Sequence, residues 1–212
     1  MSPTPVLAEV LPTLADMYDR DQLPDPEDKP CFLPDPHLIQ RVCIWQGDIT
    51  RLKADMIVNA ANRSLLGGGG VDGAIHSAAG PDLLKECEGL GGAETGETKV
   101  TKGYDLPAKY VAHTVGPIYS KLNVERSAEQ LESCYRTSLE ACVAKGGETI
   151  GFSSISTGVY GYPIIEATQI SLRTTRLFLQ ENKSITRVIF VVFSEKDKKV
   201  YEGLVPEYFP EP

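Results

Sequence analysis

From residue 42 onward, apolar positions fall into short runs separated by longer stretches in which they recur every three or four residues. The short runs cover residues 42–47, 55–60, 98–103, 110–115, 149–155 and 187–193. Several are rich in Val, Ile, Thr and aromatic side chains, and each predicts a β-strand. Between them, Leu131, Cys134, Tyr135, Ser138, Leu139 and Cys142 form one apolar stripe at helical spacing, ended by Gly146-Gly147. That spacing predicts an amphipathic helix, and further helices are expected over 71–79, 82–90, 164–180 and 195–204. Residues 188–193, Val-Ile-Phe-Val-Val-Phe, leave no face for water, so this strand belongs in a sheet covered on both sides. Alternating strands and helices predict an α/β three-layer sandwich with a mixed, largely parallel central sheet.

The first forty residues read differently. Val6, Leu7, Val10, Leu11, Leu14 and Met17 make a helix-period stripe interrupted by Pro12, which predicts one or two short helices packed on the domain. Residues 23–36 hold five prolines and several acids and read as an extended connection, with 19–36 expected as a tail. Residues 1–40 are therefore expected as an N-terminal extension and 41–212 as one domain.

Composition narrows the chemistry. A chain of 212 residues that is 42% hydrophobic can bury one sizeable core. A net charge of −8 argues against a nucleic-acid surface, which needs clustered cations to displace counterions. The five cysteines are odd in number, widely spaced and without a C-x-x-C pair, which fits reduced thiols inside a cell, in the cytoplasm and with the nucleus open to the protein. The N-terminus has no basic segment and apolar core of the secretory kind, and no apolar run approaches membrane-spanning length. No membrane association is expected, and a monomer is.

The densest chemical signal is the stretch VNAANRSLLGGGGVDGAIHSAAG, residues 58–80. A buried strand, a polar turn, four consecutive glycines (Gly67 to Gly70) and a small-residue helix follow one another. Glycine lets backbone approach a ligand, and a helix N-terminus offers unpaired amides, so the series suits an anion. A mobile linker is the first alternative, but linkers are not flanked by a buried strand and an apolar helix. The second is a dinucleotide fingerprint, since Gly68-x-Gly70-x-x-Gly73 fits G-x-G-x-x-G, yet eight residues separate strand from glycines and no acidic strand end follows at the required distance. No Lys or Arg occurs from Ser64 to Leu84, or between Gly146 and Leu172 around a second glycine-bearing turn at 156–161. If these loops hold phosphate, backbone amides must do it.

The residues also carry a family likeness. Asn59-Ala60-Ala61-Asn62 followed by Leu65-Leu66-Gly67-Gly68-Gly69-Gly70-Val71-Asp72-Gly73-Ala74-Ile75-His76 resembles the signature of macrodomains, specifically the MacroD-type ADP-ribosyl hydrolases and O-acetyl-ADP-ribose deacetylases. Gly47-Asp48-Ile49-Thr50, His113-Thr114-Val115-Gly116-Pro117 and Ser156-Thr157-Gly158-Val159-Tyr160-Gly161-Tyr162-Pro163 match the same family in the same order, and the likeness extends over about residues 42–201. It implies the same three-layer fold and a diphosphate held between the two glycine loops at the carboxyl ends of the strands.

It also implies roles. Asp48, on spacing alone either a turn residue or a helix cap, would accept from the adenine amino group, with the Ile49 amide on the base. Asn62 and Asp72, otherwise a turn former and a helix-start acid, would hold the distal ribose and the attacked linkage as the catalytic pair. Tyr160 would stack on or orient that ribose, where family members often have Phe. Asn59, Gly69, Gly70, Val71, Ser156, Thr157, Gly158, Val159 and Phe193 carry over as further ligand contacts. His76 shares a helical face with Asp72 and reads first as packing; His113 reads as capping a strand end or packing beneath the site. The three histidines are scattered in sequence, so no metal and no cofactor are expected.

The implied reaction is ester hydrolysis, releasing mono-ADP-ribose from Asp or Glu side chains of modified proteins, or acetate from O-acetyl-ADP-ribose. Either Asp72 or a substrate phosphate oxygen would take the proton of the attacking water. A reader module that binds ADP-ribose without turnover is the alternative, and a nicotinamide-dependent oxidoreductase is a distant third.

Overall fold

The computed structural model describes residues 4–212. The first three residues of the expected N-terminal extension lie outside the described part. Eight strands and seven α-helices are formed: β1 (Val6–Leu7), α1 (Leu14–Asp19), α2 (Pro36–Ile39), β2 (Val42–Gln46), β3 (Leu52–Lys53), β4 (Met56–Ala61), α3 (Gly70–Ala79), α4 (Pro81–Leu90), β5 (Thr98–Lys102), β6 (Tyr110–Val115), α5 (Val124–Ala144), β7 (Thr149–Phe152), α6 (Ile164–Glu181), β8 (Arg187–Val192) and α7 (Glu195–Tyr208). Six strands make one sheet in the order β2-β8-β7-β4-β6-β5. All neighbours are parallel except β5, which runs antiparallel to β6 at the edge. The mixed, largely parallel three-layer sandwich expected from the alternation of elements is the observed fold.

The continuous apolar run of β8 resolves into two faces. Val188, Phe190 and Val192 point into a core with Leu131, Leu139, Leu172 and Tyr201 of α5, α6 and α7. Ile189 and Val191 point into a second core with Ile75 of α3 and Leu83 and Cys87 of α4. In β4 the same alternation sends Met56 and Val58 to the first core and Ile57 and Ala61 to the second. A period of two across a sheet covered on both sides requires this, because each successive side chain leaves the opposite face into a dry layer.

The N-terminal stripe meets a different fate. Pro12 divides it, and residues 6–7 pair in parallel with Leu52–Lys53 instead of forming helix. Leu7 and Val10 consequently face solvent, while Ala8, Leu11, Leu14 and Met17 are buried. α1 begins at a capping box in which Thr13 and Asp16 satisfy one another's amides. Residues 20–35, between α1 and α2, form neither helix nor strand, but they are not a solvated tail. Arg176 of α6, 2% exposed, donates to the Leu33 carbonyl at 2.8 Å and stacks against Phe32 and Phe209 at 5.2 and 5.5 Å, and the Cys31 amide donates to Glu207 O at 2.7 Å. α7 runs through Pro206 to Tyr208, four residues past its expected end. All five cysteines are free thiols, four of them buried. Among the described residues, no helix is long and apolar enough to cross a membrane.

Candidate functional site

Because β2, β4, β6, β7 and β8 are parallel, their carboxyl ends open at one rim. The residues that leave those ends line two cavities that share a waist. The larger, about 740 Å³, is walled by Gly47, Asp48 and Ile49 after β2, by Ser153, Ser154, Thr157 and Gly158 after β7, by Phe193 after β8, and by Gly70, Val71 and Ala74 at the start of α3. The smaller, about 370 Å³, is walled by Asn62, Gly68, Gly69 and Asp72 after β4, Gly116 after β6, and Ser156, Val159 and Tyr160. Gly70 and Val71 on one side and Ser154 and Gly158 on the other belong to both. The two glycine loops thus pinch an elongated trough at its middle, which suits a ligand with two bulky ends and a narrow anionic centre.

The waist is built from backbone. Gly67 and Gly70 take φ of +83° and +61°, a region closed to most side chains, and Gly69 caps α3 without a side-chain bond, leaving the first amides of the helix to the trough. Across from them, Gly161 N donates to Gly158 O and Tyr162 N to Ser156 O, closing a tight loop. Among the described residues, no protein group accepts from the amides of residues 157–160. The two lysine-free stretches therefore present main-chain donors on both sides of the same waist.

Asp48 caps the turn that follows it. Its Oδ1 accepts from the Thr50 amide at 2.9 Å and the Thr50 hydroxyl at 2.7 Å, capping the turn at Ile49–Arg51, and the exposed residue still lines the larger cavity. Asn62 is equally engaged: Oδ1 accepts from Ser64 N and Oγ, and Nδ2 donates to Gly67 O at 2.9 Å, so it shapes the loop it faces. Phe193 stands at the cavity mouth, 85% exposed.

Asp72 is 4% exposed in the first turn of α3. Asn59 Nδ2 donates to its Oδ1 at 2.7 Å, and His76 Nε2 lies 3.5 Å from the same oxygen. Burial, the largest influence, raises its pKa against the opposing pull of Asn59 and His76. Its Oδ2 turns the other way: a methyl group built on Gly68 would meet Asp72 Oδ2 at 3.1 Å and Asn62 Nδ2 at 3.2 Å. A carboxylate oxygen and a carboxamide nitrogen therefore flank Gly68 on the wall of the smaller cavity.

Asn59, expected as a ligand contact, is fully buried in β4 and lies on neither cavity wall. The strand pleat turns it under α3, where it serves Asp72. His113, paired in register with Asn59 across β4 and β6, lies beneath the site. Burial pushes its pKa down to about 3, so the ring is neutral. The histidines described as scattered also need revision: donor atoms of His76, Cys87 and His113 come within 4.8 Å of one another. These would suit a soft metal ion, but Nε2 of His113 is already 2.8 Å from Thr101 Oγ1, and burial lifts the Cys87 thiol to about 11.

Sequence reasoning missed Lys196, a cation on the wall of the larger cavity, together with Ser154, Gly116 and Val191. Ser154 and Gly116 each follow a parallel strand within two residues, and the carboxyl-end rule applied to every strand would have found them. Lys196 sits in the first turn of α7, which nothing local ties to the glycine loops.

Comparison with known proteins agrees with this architecture. The Macro domain family model matches residues 58–171. The ADP-ribose glycohydrolase MACROD2 of Xenopus laevis is 53% identical over 174 residues, 82% of this chain but 42% of its own length, so the chain spans under half of that relative. The macro domain-containing protein CT2219 of Chlorobaculum tepidum is 54% identical over 80% of this chain and 96% of its own. The crystal structure of the Trypanosoma brucei macrodomain in complex with ADP-ribose superposes with a TM-score of 0.79 at 43% identity, covering 96% of this chain and 78% of that one.

Proposed function

Because the chain belongs to the macro domain family, we propose that it is an ADP-ribosyl ester hydrolase, releasing mono-ADP-ribose from acidic side chains of modified proteins and acetate from O-acetyl-ADP-ribose. The relative from Xenopus laevis is an ADP-ribose glycohydrolase, and the trypanosome macrodomain holds ADP-ribose. The observation that carries the proposal is the pairing of Asp72 Oδ2 and Asn62 Nδ2 on either side of Gly68, on the wall of the smaller cavity beyond a waist of free amides.

The adenosine end occupies the larger cavity, between Phe193 and the Asp48 turn. The diphosphate crosses the waist on main-chain donors, whose partial charges need no counter-ion and hold no proton to lose. The distal ribose enters the smaller cavity against Tyr160. There Asn62 orients a ribose hydroxyl while Asp72, a stronger base than an exposed carboxylate because it is buried, takes a proton from water. The hydroxide adds to the ester carbonyl, the bond to the ribose oxygen breaks, and Asp72 returns the proton to that oxygen. Holding the ester near the acid by its remote diphosphate supplies orientation that the few side chains here do not.

A purified acceptor carrying ester-linked mono-ADP-ribose tests the proposal. Wild-type protein releases the label. Asp72→Ala is expected to slow release by about a hundredfold or more while ADP-ribose affinity by calorimetry moves far less. Binding without release by wild type would make the chain a reader, and equal losses of rate and affinity would remove Asp72 from the chemistry.

A further inference from the structure

Behind Asp72 lies a polar chain that the proposed chemistry does not use. Asn59 and His113 face each other in register on the α3 side of the sheet, and both are fully buried. Asn59 Nδ2 is 2.7 Å from Asp72 Oδ1 and 3.1 Å from His113 Nδ1, so one amide nitrogen serves two neighbours with its two hydrogens. Donation to the ring requires a lone pair on Nδ1, which puts the single proton of the neutral imidazole on Nε2. From there it is donated to Thr101 Oγ1 at 2.8 Å, with Cys87 Sγ at 3.7 Å beside it.

Asn59 Oδ1 is buried with no partner among the described residues. Such an oxygen disfavours the orientation that strands it, so something must favour that orientation more strongly. Turning the amide over would bring its oxygen within 2.7 Å of a carboxylate oxygen and present it to the Nδ1 lone pair as well. Were the ring proton on Nδ1, that second repulsion would become an attraction opposed to the repulsion at the carboxylate, and the ring would pull the amide away from its bond to Asp72. With the proton on Nε2, His113 and the carboxylate instead hold the same end of Asn59 toward Asp72.

We propose that His113 is a positioning residue for the reaction at Asp72: its unprotonated Nδ1, with Nε2–H tied to Thr101, locks the Asn59 amide so that it donates to Asp72 Oδ1 and leaves Oδ2 aimed into the smaller cavity. The inference rests on the assignment of Asp72 to the chemistry made above. It makes a prediction opposite to that from size. Asparagine at position 113 places an amide oxygen near the position of Nδ1 and can accept from Asn59. Glutamine is closer to histidine in volume and reaches toward Thr101, but the atom bonded to its Cγ is the amide carbon, so no acceptor stands where Nδ1 stood.

The test compares turnover of ester-linked mono-ADP-ribose by His113→Asn, His113→Gln and Asp72→Ala, with ADP-ribose affinity measured by calorimetry for each. His113→Gln is expected to lose about tenfold to a hundredfold in kcat with affinity nearly unchanged, as for a misplaced catalytic group, and His113→Asn to keep kcat within about threefold of wild type on the same grounds. A kcat for His113→Gln equal to wild type, or equal losses in both variants with affinity intact, overturns the inference. An unimpaired Asp72→Ala overturns the assignment beneath it instead. Independently of whether either variant at 113 folds, nitrogen-15 NMR of wild-type protein labelled at histidine reads the tautomer directly: a proton on Nε2 of His113 is the expected result, and one on Nδ1 overturns the inference.

Discussion

Gly73 offers a sharp test of how the glycine loop is held. It lies inside α3, and a methyl group built on its Cα would stand well under 3.0 Å from the Gly68 carbonyl oxygen, closer than real Cβ atoms come. The obstacle is backbone, so no side-chain rotation relieves it. Gly68 must retreat to the 3.4 Å at which ordinary contact begins, and it does so from the wall of the smaller cavity, between Asn62 Nδ2 and Asp72 Oδ2. Gly89 is the control. It lies in the neighbouring α4, is exposed, and has nothing within 4 Å of a built methyl. Alanine at either site gains helix propensity of about 0.8–1 kcal/mol. At Gly89 nothing opposes this, and the melting temperature should rise by about 2–4 °C. At Gly73 overpacking of about 1–3 kcal/mol opposes it, so stability should be unchanged or lower. ADP-ribose affinity should fall by at least tenfold as the loop is displaced, an expectation scaled to about 1.4 kcal/mol of lost contacts. Urea unfolding and calorimetry on the two variants measure both quantities. If Gly73→Ala matched Gly89→Ala in stability and bound ADP-ribose like wild type, the claim that Gly68 is propped on α3 would be refuted.

The neutral His113 gives a pH dependence. Its folded pKa of about 3 lies below the ordinary 6.5, so the unfolded chain binds the proton more readily, and stability is lost as pH falls from 6.5 toward 3. At pH 4.5 the loss should be about 2–3 kcal/mol, partly offset near the bottom of that window by Asp72, whose raised folded pKa works in the opposite direction. Melting curves from pH 7.5 to 4.5 should fall less steeply for His113→Asn, and parallel curves would contradict the assignment. Arg176→Ala should free the segment around Phe32, costing about 2 kcal/mol or more through lost packing and unpaired carbonyls, and faster chymotrypsin cleavage after Phe32 would report it. Burial raises the thiols of Cys43, Cys87 and Cys134 to about 11 and that of Cys142 to about 12. A thiol reagent at pH 8 should therefore label Cys31 alone in native protein and all five cysteines in urea, and native labelling beyond one equivalent would show that the core opens.

Periodicity and the placement of glycines already dictated the layers and the rim. A run such as residues 188–193 can be dry only inside a doubly covered sheet, and a four-glycine loop between strand and helix can face a ligand with little but amides. These are local properties, since periodicity and backbone freedom act within a few residues. Which side chains meet depends on how the layers pack. Asn59 and Asn62 sit three residues apart in one motif, yet strand pleat and loop send the first beneath α3 and the second to the cavity wall. His76, Cys87 and His113, distant in sequence, gather because α3 and α4 cover the same face that β6 presents. Lys196 reaches the cavity because β8 lies between β2 and β7, an order that no local pattern encodes. Strand order follows from how whole apolar faces pack together, and that summed preference belongs to the folded sheet, not to any stretch of the chain.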